Sequence, residues 1–377
     1  MTQGTGAAMD AAALRRAYMS GTLSPVDVTE AALARIARRA APLGVFLLVD
    51  AEGARAAARA CAARWARGAP CGLLDGIPVT VKDQVDTVGL PSRKGSLTSS
   101  DAPAAEDAPA MARLREAGAV LLGKTAMCEF GWKGVTDSPL LGVTRNPWAP
   151  SRSAGGSSGG AAVAAACDMG VIHLGSDGAG SVRIPAAFCG VYGFKPSFGR
   201  VPHHPGGRLG LGHIGPLTRC VADAALALCV LGQPDDRDPS SLPYDPRDWR
   251  IGLEDGVAGW RVAYSRKLGH ARAAPEVIDL CDRAVDALRT LGAQVEVVDP
   301  ALPDPRRGFG LLWAASMGHA MAAPTPEPPA PETYRERHRR LTGHALDVCP
   351  DCGGPMQERG PSPPRPPSRG PFWCDSS

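Results

Sequence analysis

Residues 155–185 read GGSSGGAAVAAACDMGVIHLGSDGAGSVRIP, and the fold is decided there. Gly155-Gly156-Ser157-Ser158-Gly159-Gly160 is too rich in glycine for a helix or strand interior, because each glycine gives up backbone freedom there without burying a side chain. It reads as a loop. Ala161 to Cys167 is a run of small helix formers, so the loop delivers its serines to a helix N-terminus, where free amides favour developing negative charge. Val171-Ile172-His173-Leu174 reads as a short buried strand, broken by Gly175-Ser176-Asp177-Gly178-Ala179-Gly180-Ser181. Two serine loops therefore stand on either side of one helix and one strand. Taken singly, each loop could be an ordinary connector, since Gly and Ser are common turn residues. A phosphate-cradling loop is the weaker alternative, because the lysine and hydroxyl that close that pattern are missing after Gly160.

Working outward, Ile77-Pro78-Val79-Thr80-Val81 is a short β-branched run, and Lys82-Asp83 falls at its end. A lysine at a strand end is ordinarily a solvated surface charge. Together with Gly76 and the paired serine loops, however, this segment closely resembles the amidase signature family of serine hydrolases. The resemblance runs from about Leu14 to about residue 320. It implies a catalytic triad of Lys82, the bridging Ser157 and the nucleophile Ser181, with a cis peptide bond at Gly156–Ser157. It also implies an oxyanion hole from the backbone N–H groups of Gly178, Ala179, Gly180 and Ser181. Ser158 is placed as a further hydrogen-bonder, and Asp177 and Arg183 as braces for the loops rather than reacting groups. The implied fold is α/β, a central mixed β-sheet with helices on both faces, with no cofactor and no metal. The chain departs from the family at Ala126, where asparagine is usual, and at Ala179, where many relatives have glycine.

The chemistry explains the residue types. A serine hydroxyl is a poor nucleophile until a base takes its proton. Lysine can be that base only when burial and hydrogen bonding leave it neutral, since an ammonium has no lone pair. Lys82 is therefore expected to be buried, with Ser157 relaying the proton between it and Ser181.

The rest of the chain reads as scaffold. Its 377 residues suit one large α/β body, and 44% hydrophobic with 21% charged is a globular composition. Apolar runs are too short and interrupted to cross a bilayer, and the N-terminus lacks a basic head followed by an apolar stretch, so a cytoplasmic protein is expected. With 41 basic against 38 acidic residues, net charge +3, nothing points to nucleic acid. The expected partner is a small-molecule amide, and a homodimer is left open. The 11 cysteines are read as reduced thiols. Cys61, Cys167, Cys220, Cys229 and Cys281 are taken as small core residues, and Cys189 as packing rather than as a second nucleophile.

Ser24-Pro25 reads as an N-cap and first helical residue, with Val28, Leu33 and Ile36 at helical spacing behind them. Helices are expected over Ala51 to Arg67, Ala110 to Ala117 and Pro275 to Leu291. Strands are expected at Ala119 to Gly123, Trp260 to Tyr264 and Val295 to Val298, continuing one β, α, β alternation. Gly142 to Trp148 reads as a turn-rich segment that either holds the serine loop or is a plain connector, and residues 190–232 as a strand, a turn and an alanine-leucine helix.

Past Met321 the resemblance stops at a proline-rich run, which divides the chain into an amidase signature domain at 1–322, incomplete at its C-terminal end, and a tail at 323–377. The tail is expected to be disordered or foreign. From Arg335 onward it faintly resembles the ends of insertion-element transposases. Cys349 and Cys352 form half of a zinc knuckle, with His344 and Cys374 as the nearby further ligands, a set too sparse for a structural site. The sequence thus leaves a working amidase, a catalytically silent remnant, and the amidase component of a glutamyl-tRNA amidotransferase. The last is disfavoured by Ile184, where those proteins carry glutamine.

Overall fold

Helix α1 (Ala11–Ser20) begins at Asp10, whose carboxylate accepts from the Ala13 amide, and α2 (Pro25–Leu43) begins at Ser24. Ser24 and Asp27 form a capping box, so the expected start is found with a second, reciprocal bond that the proline alone did not signal. Then follow β1 (Phe46–Val49), α3 (Ala51–Ala66), β2 (Pro78–Lys82), α4 (Pro109–Glu116), β3 (Val120–Thr125) and the short pair β4 (Asp137–Ser138) and β5 (Gly142–Val143). The quoted stretch supplies α5 (Gly159–Ala166), β6 (Ile172–Asp177) and α6 (Arg183–Cys189). Beyond it lie β7 (Tyr192–Gly193), β8 (His213–Thr218), α7 (Val221–Leu231), β9 (Arg261–Tyr264), α8 (Pro275–Thr290), β10 (Gln294–Val297) and α9 (Arg306–Ala322). This is a computed structural model that describes residues 9–206 and 210–322, all within the unit Met1–Thr325. The proline-rich tail with His344, Cys349, Cys352 and Cys374 lies outside the described residues.

The main sheet has the order β1-β3-β2-β6-β8-β7. Its centre is parallel, β3 with β2 and β2 with β6, while β1, β8 and β7 join antiparallel, which makes the sheet mixed. Parallel strands at the centre need cover on both faces, and β2 and β6 are buried along their whole length. Two apolar clusters supply that cover. Leu14, Met111, Leu114 and Leu231, from α1, α4 and α7, pack on one side with Val79, Val81 and Leu121. Leu33, Ile36, Ala58 and Ala161, from α2, α3 and α5, pack on the other with Val120 and Leu122. Strand alternation sends neighbouring residues of β3 to opposite clusters, as the pleat requires.

Four expectations are corrected. The strand read as Val171 to Leu174 continues to Asp177, because Gly175, Ser176 and Asp177 pair with Gly215, Ile214 and His213 of β8. The glycine-rich loop ends earlier than expected: Gly159 and Gly160 already belong to α5, whose second residue lies against the backbone of Ala126. The late alternation does not extend the main sheet. β9 and β10 pair parallel as a separate two-stranded sheet, with α8 as their crossover. Helix α9 has no strong turn or periodicity signal and was not expected. Cys61, Cys167 and Cys189 are buried, but Cys281 is exposed on α8 and is no core residue. Among the described residues, no helix is long and apolar enough to cross a membrane.

Candidate active site

Lys82 and Asp177 end the adjacent parallel strands β2 and β6, and ligand sites of α/β sheets gather at such carboxyl ends. Alternation along β2 sends Val79 and Val81 into one apolar cluster, so Thr80 and Lys82 face the opposite side of the sheet. There Lys82 is fully buried. Its Nζ lies 2.7 Å from Ser157 Oγ and 2.9 Å from Ser176 Oγ. Burial, only partly countered by Cys128, Asp177 and Asp83, lowers its pKa from 10.5 to about 8.

Ser157 arrives at the end of the glycine loop, after a cis peptide bond with Gly156. A Cβ on Gly156 would stand 2.4 Å from the carbonyl carbon of Val135, so the loop approaches its neighbour more closely than any other residue permits. Ser158 then fastens the loop to β6. Its hydroxyl donates to Ser176 O at 3.2 Å and accepts from Ser176 N at 3.3 Å, and its amide donates to Ser181 O at 3.1 Å. Thr136 Oγ1 accepts from the Gly159 amide at the same helix start.

The second loop is organised by the buried Asp177. Its carboxylate accepts from the amides of Gly180 at 2.7 Å and Val182 at 3.2 Å, and from Arg183 Nε at 2.9 Å and the Arg183 terminal nitrogen at 2.8 Å. Burial would raise its pKa, but Arg183 and the two amides outweigh burial and hold it down at about 2. Asp177 and Arg183 are thus bonded to one another and to the loop.

One of the candidate oxyanion donors is corrected by this arrangement. The Gly180 N–H is spent on Asp177 and is not free for a ligand oxygen, and Gly180 instead supplies a backbone angle φ of +116° that a side chain would oppose. Gly178, Ala179 and Ser181 have no backbone partner for their amides among the described residues, and Ala179 has no positive φ. Ser176 was not singled out from the sequence. Its signal was its place two residues before the glycine of the second loop, at the end of a strand neighbouring Lys82.

Ser157, Ser176, Gly178 and Ser181 all line one cleft of about 570 Å³. Ser181 itself is nearly buried, at 7% exposure. Met127, Phe130, Leu211 and Trp313 make apolar walls, and Gln84, Lys94, His203 and Ser316 make polar ones. Trp313 comes from α9, and its indole Nε1 donates to Trp132 O at 2.9 Å. Ala126 is buried and bonded through its backbone to Val45 and Gly160, so it serves the join between β3 and α5.

The chain matches the sequence model of the Amidase family over residues 27–336. It is 38% identical over 308 residues to an acylamidase of Rhodococcus erythropolis, covering 81% of this chain and 64% of that protein. It is 40% identical over 300 residues to a glutamyl-tRNA(Gln) amidotransferase subunit from Anaeromyxobacter sp. (strain K), covering 79% and 61%. A bacterial aryl acylamidase of known structure superposes with a TM-score of 0.77 at 34% identity, over 84% of this chain and 66% of that one. A peptide amidase from Stenotrophomonas maltophilia superposes with a TM-score of 0.74 at 30% identity, over 84% and 68%. The chain spans 61% and 64% of the two curated relatives' length. On the family match, these identities and the shared α/β architecture, the chain belongs to the amidase signature family.

Proposed function

We propose that the chain hydrolyses a carboxamide to a carboxylic acid and an amine or ammonia, with Ser181 as nucleophile, Ser157 as proton relay and Lys82 as base. The observation that carries this reading is the fully buried Lys82, its pKa lowered to about 8, with Nζ 2.7 Å from a serine that shares a cleft with Ser181. As a neutral amine, Lys82 keeps N–H groups to donate to Ser176 and a lone pair to receive the Ser157 proton. Ser176 is then the residue that turns the lone pair towards Ser157.

Ser181 Oγ attacks the amide carbon while its proton passes to Ser157 Oγ and the Ser157 proton passes to Lys82 Nζ. The carbonyl oxygen gains the negative charge, and the amides of Gly178, Ala179 and Ser181 are the donors aimed at it. One such donor typically lowers the barrier by about 3–4 kcal/mol. Collapse breaks the C–N bond, and the leaving nitrogen takes a proton back along the same path. Water repeats the sequence on the acyl-enzyme and frees Ser181. A cytoplasmic setting fits the free cysteines among the described residues.

Labelling with a fluorophosphonate probe tests the assignment without a known substrate. The chain is expected to label, Ser181→Ala to lose all labelling, and Lys82→Ala to lose nearly all of it. Labelling that survives Ser181→Ala overturns the assignment, and a folded chain that never labels is the silent remnant. A second reading, an amidotransferase component that takes ammonia from glutamine, draws on the relatives of that kind. Ile184, which lies beside Gly180, speaks against it, since the resemblance implies that those subunits carry glutamine at this position. Release of ammonia from glutamine by the purified chain would favour it.

A further inference from the structure

The cleft holds a charge that amide hydrolysis does not use. Lys94 lies on its wall with an exposed side chain. Among the described residues, no carboxylate comes within ion-pair reach of it, whereas its neighbour Arg93 pairs with Asp101. The backbone at Lys94 has φ +52°, a left-handed conformation that costs a lysine energy and persists only when its surroundings enforce it. Here they do so from both sides. The Phe130 amide donates to Lys94 O at 2.8 Å, and the Gly95 amide donates to the buried Asp83 carboxylate at 3.1 Å. The loop is pinned in a form that sets Lys94 beside Phe130 on the cleft wall.

No other described group in the cleft balances that charge. Asp177 is neutralised by Arg183. Burial pushes His203 below its ordinary pKa, so at neutral pH its ring is uncharged. Lys82 sits behind Ser157 and handles the reaction's proton. Gln84 and Ser316 are polar but uncharged, and Met127, Phe130, Leu211 and Trp313 are apolar, with Trp313 fixed by its bond to Trp132 and by stacking on Phe309 at 5.5 Å. A cation facing a low-dielectric cleft attracts an anion more strongly than one on an open surface.

We propose that the substrate is an amide whose apolar body carries a carboxylate, and that Lys94 pairs with that carboxylate while the apolar walls hold the body. The substrate class rests on the hydrolase reading above. Binding, however, can be read without turnover.

The experiment is calorimetric titration of the Ser181→Ala chain with para-carboxybenzamide and its neutral near-isostere para-acetylbenzamide, and with pimelic monoamide against the methyl ketone 7-oxooctanamide. The acids are expected to bind about fivefold to tenfold more tightly than the neutral amides at low salt, with the preference shrinking as salt rises. Lys94→Met should erase the preference, Lys94→Arg keep it and Lys94→Glu invert it. Equal binding of acid and neutral amide, no binding of either acid, or a preference that survives Lys94→Met each overturns the proposal. Fluorophosphonate labelling of the unmutated chain separates the two claims. A charge preference without labelling fells the hydrolase reading and leaves Lys94 as an anion site, and labelling without the preference does the reverse.

Discussion

At Lys82, burial sets the charge state, and the proposed role as base rests on that. Taking the ammonium out of water lowers its pKa from 10.5 to about 8, and the neutral form so favoured is the one that can accept a proton. The rate of acylation should therefore rise with pH and level off above about 8, and a flat profile between pH 6 and 9 would contradict Lys82 as base. The sign for stability follows from the same shift. The unfolded chain holds this proton up to pH 10.5 and the folded chain only to about 8, so stability rises with pH between those values. Lys82→Met should stabilise the fold at pH 7 by about 1–2 kcal/mol: the shift represents roughly 3 kcal/mol, less about 1 kcal/mol for each of two lost hydrogen bonds. Chemical denaturation checks this, and a large loss of stability would show that the site tolerates its charge.

Asp177 runs the other way. Its folded pKa of about 2 lies below the ordinary 3.8, so its contribution is complete above pH 3.8 and is lost as pH falls through 2. Asp177→Ala should cost about 3 kcal/mol, because it frees two loop amides and Arg183 at once, and should abolish labelling as the second loop loses its shape. Wild-type labelling in that variant would mean that the loop holds itself.

At the scale of elements, the serine loops and the strand carrying Lys82 were legible because their signals are local: glycines that refuse regular structure, a β-branched run, a cap followed by proline. The partnership of Lys82 with Ser176 was not, because it exists only once β2 and β6 lie side by side. The commitment of the Gly180 amide to Asp177 was hidden for a like reason, since the sequence shows that an amide exists but not what faces it. The family resemblance gave the mixed sheet with helices on both faces, yet the separate pairing of β9 with β10 escaped it, because a β, α, β pattern does not say which sheet its strands join. The capping box at α2 offers a clean element-level check away from the cleft. Ser24→Ala should cost about 1 kcal/mol by denaturation and leave fluorophosphonate labelling at the unmutated rate. A labelling rate that falls with it would tie α2 to the site.

For the molecule as a whole, apolar side chains stay exposed around α8, β10 and α9: Leu280 at 57%, Val297 at 52% and Leu311 at 68%. Exposed apolar side chains are association liabilities. The purified chain is expected to self-associate with rising concentration in sedimentation experiments, and a Leu280→Glu, Leu311→Glu double variant to weaken that association while keeping its labelling. A monomer at all concentrations would remove the homodimer from consideration.

Parallel strands cannot be joined by a tight turn, and β2 and β6, neighbours in space, are separated in the chain by α4, β3, the β4–β5 pair and α5. A chain growing from its N-terminus therefore carries Lys82, and the β3 strand beside it, well before it carries Ser157 and Ser176, the two hydroxyls that its Nζ meets. Non-local pairing of this kind is slow to close. On the proposed assignment the chain should be born inert, and labelling at Ser181 should appear in one late event, when β6 docks on β2, rather than ripening by degrees during synthesis.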